Sequence, residues 1–315
     1  MNNTTPVLQQ WLEQYNQKLA HWQAQGNTFT PAIVRESLAT MTRTYVTDIP
    51  ELSLVIDDSV DNGGHPVPVR IFHPDQYSSL EVAVFLHGGG HMAGSIEVYD
   101  PICRKIALSA QRIVVAVDYR LAPEHPYPIG IEDGAAVLDA CEVMLDGLGF
   151  NYRPRIALVG DSAGGAMSAT LAHKYHTDMK QKIDKLVLIY PSLDYSLRSP
   201  STDLFGIGYL LEKDRIQWYF DHYFSNEQDR SEASPIDMEI TDTFPETMVI
   251  TAGFCPLRDE GIEYAKRLKK HAIATRHIDF KATVHAFLNL ENLDPDICRS
   301  CYQELGTFLR SPDLG

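Results

Sequence analysis

RIALVGDSAGGAMSATLAHKY, residues 155–175, runs an apolar segment into a glycine-framed serine and then into a helix-like stretch. Ile156, Ala157, Leu158 and Val159 have the unbroken apolar character of a parallel strand covered on both faces. Gly160-Asp161-Ser162-Ala163-Gly164 is a G-x-S-x-G, a pattern whose meaning depends on its setting. Between strand and helix it puts the serine on a tight turn that leaves no room for flanking side chains. Ser162 is therefore the candidate nucleophile. The helix that follows turns its positive end toward the serine, which favours developing negative charge.

Outward from this stretch, β-rich runs alternate with helix-length segments. The runs are ELSLVI (51–56), PVPVRIF (66–72), EVAVFL (81–86), RIVVAVDY (112–119), RIALVG (155–160), KLVLIY (185–190), ETMVITAG (246–253) and TRHIDFKA (275–282). Amphipathic stretches lie between them, one marked by Val98, Ile102 and Ile106, another by Val137, Cys141 and Leu145. Such alternation predicts an α/β fold with a mostly parallel central sheet and helices on both faces. Two aromatic-rich stripes stand outside it: Leu8, Trp11, Leu12, Tyr15, Leu19 and Trp22, and Ile216, Tyr219, Phe220, Tyr223 and Phe224. Periodicity allows them to form a cap over the C-terminal edge of the sheet or to pack as peripheral helices.

The 315 residues suffice for one large α/β domain with an accessory piece, and 44% hydrophobic with 22% charged residues is ordinary for a globular chain. A formal net charge of −15 without a Lys/Arg block argues against nucleic acid as a partner. No basic stretch followed by an apolar core opens the chain, and no run reaches membrane-spanning length. Five scattered cysteines, an odd number, suit a reducing cytoplasm. Cys298 and Cys301 form a C-x-x-C, but Ile297, Cys301, Leu305 and Phe308 fall at helical spacing, which points to a core helix and not to a metal or redox site. No cofactor and no metal are expected.

A second glycine cluster sits in AVFLHGGGHMAGS, residues 83–95. Gly88, Gly89 and Gly90 directly after a strand cost backbone entropy and make sense if main-chain N–H groups must approach a reacting oxygen. With the amide of Ala163 they are the candidate oxyanion hole, in which each donor is worth about 3 kcal/mol of transition-state stabilisation. A phosphate loop would need a G-K-[ST] after the glycines, and none follows. His285, in TVHAF after the last strand-like run, has the chain position of the general base in the order Ser, acid, His.

His87-Gly88-Gly89-Gly90, DYRLAPEHPYP (118–128), Gly160-Asp161-Ser162-Ala163-Gly164, PLRDEGIEYAKRLKK (256–270) and VHAFLN (284–289) together resemble the hormone-sensitive-lipase family of α/β-hydrolases, from about residue 50 to the C-terminus. The resemblance implies an α/β-hydrolase fold with a helical cap and cofactor-free hydrolysis of carboxylic esters with short to medium acyl chains. It implies N-terminal cap helices in residues 1–48, a catalytic domain from 49–194 and 236–315, and a cap insertion at 195–235. A homodimer is an expectation from the family alone. Arg120 and Glu124 are implied to brace loops through ion pairs, and His91 stands where the family carries an aromatic residue.

The departure lies in TAGFCPLRDEG, residues 251–261. The family pattern begins D-P-L at this junction, and that Asp orients the histidine; here the position is Cys255. Three replacements are open. Asp259 lies one helical turn on, Asp194 follows the preceding strand, and a Ser–His dyad would have no side-chain acid. The expected activity is a serine esterase on small esters. An amidase or formamidase would use the same machinery, and a ligand-binding protein on a degraded hydrolase scaffold is the rival from another class.

Overall fold

Each of the eight apolar runs becomes a strand in the computed structural model, which describes residues 3–176, 183–225 and 228–312. They are β1 (Leu54–Asn62), β2 (His65–His73), β3 (Leu80–Leu86), β4 (Arg112–Val117), β5 (Tyr152–Asp161), β6 (Ile183–Ile189), β7 (Glu246–Phe254) and β8 (Thr275–Val284). The spatial order is β1-β2-β4-β3-β5-β6-β7-β8. β2 pairs antiparallel with both β1 and β4, and the pairs that follow, from β4 through β3 and β5 to β8, are parallel. The mostly parallel sheet with helices on both faces is thus the α/β-hydrolase architecture.

Alternation along each strand divides the core in two. On β3, Ala83 and Phe85 face a layer that holds α3 (Ile96–Ala110) and α10 (Pro295–Arg310). Val82, Val84 and Leu86 face α4 (Ile129–Gly147), α5 (Ala163–Tyr175) and α9 (Arg258–Lys270). Ile102 and Ile106 on α3, Val137 and Cys141 on α4, and Leu268 on α9 are fully or almost fully buried. Burying an aliphatic side chain of this size is worth about 1.5–3 kcal/mol. Cys298 and Cys301 lie in the first layer as buried thiols, so the C-x-x-C is one face of α10 packed on the sheet.

The two aromatic stripes become helices that meet above the C-terminal ends of the strands. The first is α1 (Pro6–Ala24), which α2 (Pro31–Tyr45) follows. Pro31 opens α2, and the Thr30 side chain accepts the Ile33 N–H, a proline start with a hydroxyl cap. Trp11 Nε1 donates to Tyr45 Oη at 2.7 Å, which joins the two helices. Between β6 and β7 lie α6 (Pro200–Leu204), α7 (Lys213–Tyr223) and α8 (Arg230–Ala233). Trp11 and Tyr15 of α1, Val34 and Leu38 of α2, and Ile216 and Tyr219 of α7 border one cavity. Gly89, Ser162, Leu257 and His285, from the ends of β3, β5, β7 and β8, form its other side. No helix among the described residues is long and apolar enough to cross a membrane.

Candidate active site

Ser162 is buried and sits between β5 and α5 at φ 52°, ψ −117°, in the left-handed region that a side chain rarely adopts. The turn is held by Ser162 N–H donating to Ile189 O at 2.9 Å and by Ser192 N–H donating to Ser162 O at 3.1 Å. The flanking glycines are demanded by crowding: a Cβ on Gly164 would stand 1.9 Å from Leu86 O, and one on Gly160 would stand 2.3 Å from Gly164 O. The strain raises the serine hydroxyl to the cavity floor.

His285 follows β8, the strand beside β7, and its Nε2 lies 2.9 Å from Ser162 Oγ. That distance suits a base taking the serine proton. The ring packs against Tyr190 at 4.9 Å between centroids and 63° between planes. Burial pushes the His285 pKa down to about 3, so the imidazole is neutral near pH 7.

The other nitrogen, Nδ1, lies 3.2 Å from Cys255 Sγ, which also accepts the Leu257 N–H at 3.3 Å. Burial raises the thiol pKa well above its ordinary value, so Cys255 is uncharged. The first choice from sequence, Asp259, does not reach the histidine. Its carboxylate pairs with Arg258 at 2.8 Å and its N–H donates to Ser201 Oγ at 3.0 Å. The reason is local: β7 ends at Phe254 and places residue 255 beside the end of β8, whereas Asp259 lies beyond a turn in the first turn of α9. Asp194 does not reach it either. Its carboxylate accepts from the Ser196 N–H at 3.0 Å and from the Arg198 N–H at 3.1 Å. Burial acts to raise the Asp194 pKa, but these bonds and the Arg198 and Ser196 side chains together hold it below the usual range.

On the opposite side of Ser162, the glycine loop needs one correction. The Gly88 N–H is committed to Asp161 Oδ1 at 2.7 Å, so Gly88 cannot serve as an oxyanion donor. Gly89 at φ 125° and Gly90 at φ 64° turn the chain so that this loop borders the cavity. The amides of Gly89, Gly90 and Ala163 have no protein acceptor among the described residues. The loop is braced from below: Tyr99 Oη donates to Asp161 Oδ2 at 3.1 Å and Tyr119 Oη donates to His87 O at 2.6 Å. Burial raises the Asp161 carboxyl to about pKa 7 against the hydrogen bonds it accepts. Sequence reasoning passed over Asp161 as filler inside the motif. An acidic residue closing the apolar run of residues 156–160 was the available signal, since it must find donors when buried.

His91 stacks on Tyr223 with 3.7 Å between centroids and 2° between planes, filling the place of an aromatic ring. Arg120 and Glu124 do form ion pairs, with separate partners: Arg120 with Asp133 at 2.7 Å and Glu124 with Arg35 at 2.5 Å. Arg35, on α2, also donates to Met92 O at 2.9 Å and to Ala122 O at 3.0 Å, tying an N-terminal helix to the glycine loop.

The cavity above Ser162 has a volume of about 660 Å³. Its walls carry Trp11, Leu38, Met41, Leu211 and Tyr219, and the bottom holds the serine, the imidazole and the three amides. This is a site built to hold an apolar group against a nucleophile and a cluster of N–H donors.

Comparison with known proteins agrees with that geometry. Residues 83–289 match the alpha/beta hydrolase fold family. The chain is 32% identical over 254 residues to an ethyl acetate hydrolase of Pseudomonas putida, spanning 78% of this chain and 77% of the relative. It is 32% identical over 270 residues to a carboxylesterase of Mycobacterium tuberculosis, spanning 84% of each. Among solved structures, a hyperthermophilic esterase from the archaeon Pyrobaculum calidifontis superimposes with a TM-score of 0.86 at 29% identity, covering 98% of both chains. The chain belongs to the alpha/beta hydrolase fold family, in its hormone-sensitive-lipase-like branch.

Proposed function

We propose that this protein is a serine carboxylesterase that hydrolyses small esters through an acyl-Ser162 intermediate. The observation that carries the proposal is the 2.9 Å contact of His285 Nε2 with Ser162 Oγ beside unengaged main-chain donors. In this mechanism His285 takes the Ser162 proton as Oγ attacks the ester carbonyl. The oxygen that becomes negative is received by the amides of Gly89, Gly90 and Ala163. Collapse of the tetrahedral species breaks the ester C–O bond, and His285 returns the proton to the departing alcohol. Water then attacks the acyl group by the same route in reverse, freeing the acid and Ser162.

The named esterases among its relatives support this substrate class, and the apolar cavity wall supports short to medium acyl chains. Residues 1–48 and 195–235 act as the cap, and 49–194 with 236–315 as the catalytic domain. Five buried thiols fit a cytoplasmic location, and the family supports a homodimer, which analytical ultracentrifugation would test.

The purified protein should release p-nitrophenol from p-nitrophenyl acetate and butyrate, and an organophosphate should label Ser162. Ser162→Ala should lower kcat by at least about 10³-fold. A chain with neither turnover nor labelling would be a ligand-binding protein and not an esterase.

A further inference from the structure

We propose that Cys255 is the histidine-positioning residue of this site: a neutral thiol that accepts the Nδ1 proton of His285 and so replaces the carboxylate of the usual triad without its charge. This rests on the esterase mechanism above and adds to it the identity of the third group.

Geometry and proton bookkeeping carry the inference. For Nε2 to accept the serine proton it must be bare, so the ring proton must sit on Nδ1. A buried Nδ1–H needs an acceptor, and Cys255 Sγ, 3.2 Å away, is its hydrogen-bond partner. The sulfur is itself fixed, since it accepts the Leu257 N–H at 3.3 Å at the base of α9. The only proton moved is the one that shuttles between Ser162 and Nε2; Cys255 keeps its own.

Among the described residues, no other hydrogen-bond partner of Nδ1 substitutes for the missing carboxylate. On α9, Asp259 is paired with Arg258, and Glu260 Oε1 accepts the Leu193 N–H at 2.6 Å. Burial raises the Glu260 carboxyl well above its usual range, which disfavours its charged form. After β6, Asp194 is held by Arg198, and Tyr190 packs steeply tilted against the imidazole. After β5, Asp161 is bound to Gly88 and to Tyr99 of α3. The imidazolium formed during the reaction therefore has a weak, uncharged partner.

Two consequences follow. The rate is lower than a carboxylate would allow, and the acid limb of kcat/KM lies unusually low, because nothing anionic raises the histidine pKa. Replacing Cys255 by Asp adds the anion and stabilises the protonated ring. The histidine then stays protonated to higher pH, so the limb moves up.

The test is the pH profile of p-nitrophenyl butyrate hydrolysis by the intact protein and by Cys255→Asp, Cys255→Ser and Cys255→Ala, with melting curves for each. Cys255→Asp should raise kcat about 10- to 1,000-fold and shift the acid limb up by at least about one pH unit. Cys255→Ala should lower kcat about 10-fold, and Cys255→Ser, whose hydroxyl can still accept, should recover most of that loss. An inflection near pH 7 shared by all forms belongs to Asp161, whose carboxyl is raised to about 7, so the differences between variants carry the result. Wild-type kcat and an unchanged limb in folded Cys255→Ala, or an unmoved limb in Cys255→Asp, would overturn the proposal. Organophosphate labelling of Ser162 in that same protein would show that the esterase reading survives its failure.

Discussion

Ser162 is flanked by two supports built on different physical terms. On the oxyanion side, a buried carboxyl group, Asp161, fixes the glycine loop through the Gly88 N–H, with tyrosines beneath and Arg35 above. On the histidine side, the ring is held by one thiol and packs across Tyr190, with the carboxylates of Asp259 and Asp194 engaged elsewhere. The first support uses several hydrogen bonds to fixed oxygen acceptors; the second uses a single soft sulfur acceptor. The contrast teaches that donor placement and base orientation can be weakened separately. A site with an intact oxyanion side still catalyses, because those donors and binding alone retain roughly 10³–10⁴ over water.

Removing Asp161 is the strongest way to break the contrast. Asp161→Ala takes away the acceptor of two buried donors, and kcat should fall about 100- to 1,000-fold as Gly89 and Gly90 drift. Asp161→Asn keeps an oxygen for Gly88 and sharpens the same comparison by pH. The wild-type carboxyl is raised from 3.8 to about 7 by folding, so the stability it contributes is complete at low pH and lost as pH rises through about 7. The melting temperature of Asp161→Asn relative to wild type should therefore increase between about pH 5 and pH 8, measured by circular dichroism. A constant difference would mean that Asp161 ionises normally.

Arg35→Ala probes the upper brace. Its ion pair with Glu124 is half exposed and contributes little, but the carbonyls of Met92 and Ala122 lose their donor. Steady-state kinetics should show kcat/KM lower by about three- to tenfold, with little change in melting. The smallest effect belongs to the histidine side: Asp259→Asn should keep kcat within about twofold, because that carboxylate serves Arg258 and not the imidazole. A large loss there would erase the difference between the two supports.

Much of this was legible in the chain. The eight strands are apolar runs that only a covered parallel sheet explains, and Ser162 and His285 were placed by motif context and chain order. The misses share one cause. Gly88 and Asp259 were assigned by adjacency in sequence, yet a hydrogen bond depends on where an atom points. Gly88 turns its N–H down to Asp161, and Asp259 lies past a turn, in the first turn of α9, with its carboxylate on Arg258. Cap helices were expected within residues 1–48, but the residues of α2 that line the cavity were not singled out, although Pro31 and the stripe Val34, Leu38 and Met41 announce a helix with one apolar face.

The sequence by itself determined the sheet, the strained serine turn and the inventory of reactive groups, because strand burial and glycine-only backbone geometry leave local traces. Only the tertiary structure decided which atom meets Nδ1 of His285 and which amides stay free. Those contacts join residues 30 and 73 positions apart, and their geometry is set by how strand ends line up across the sheet.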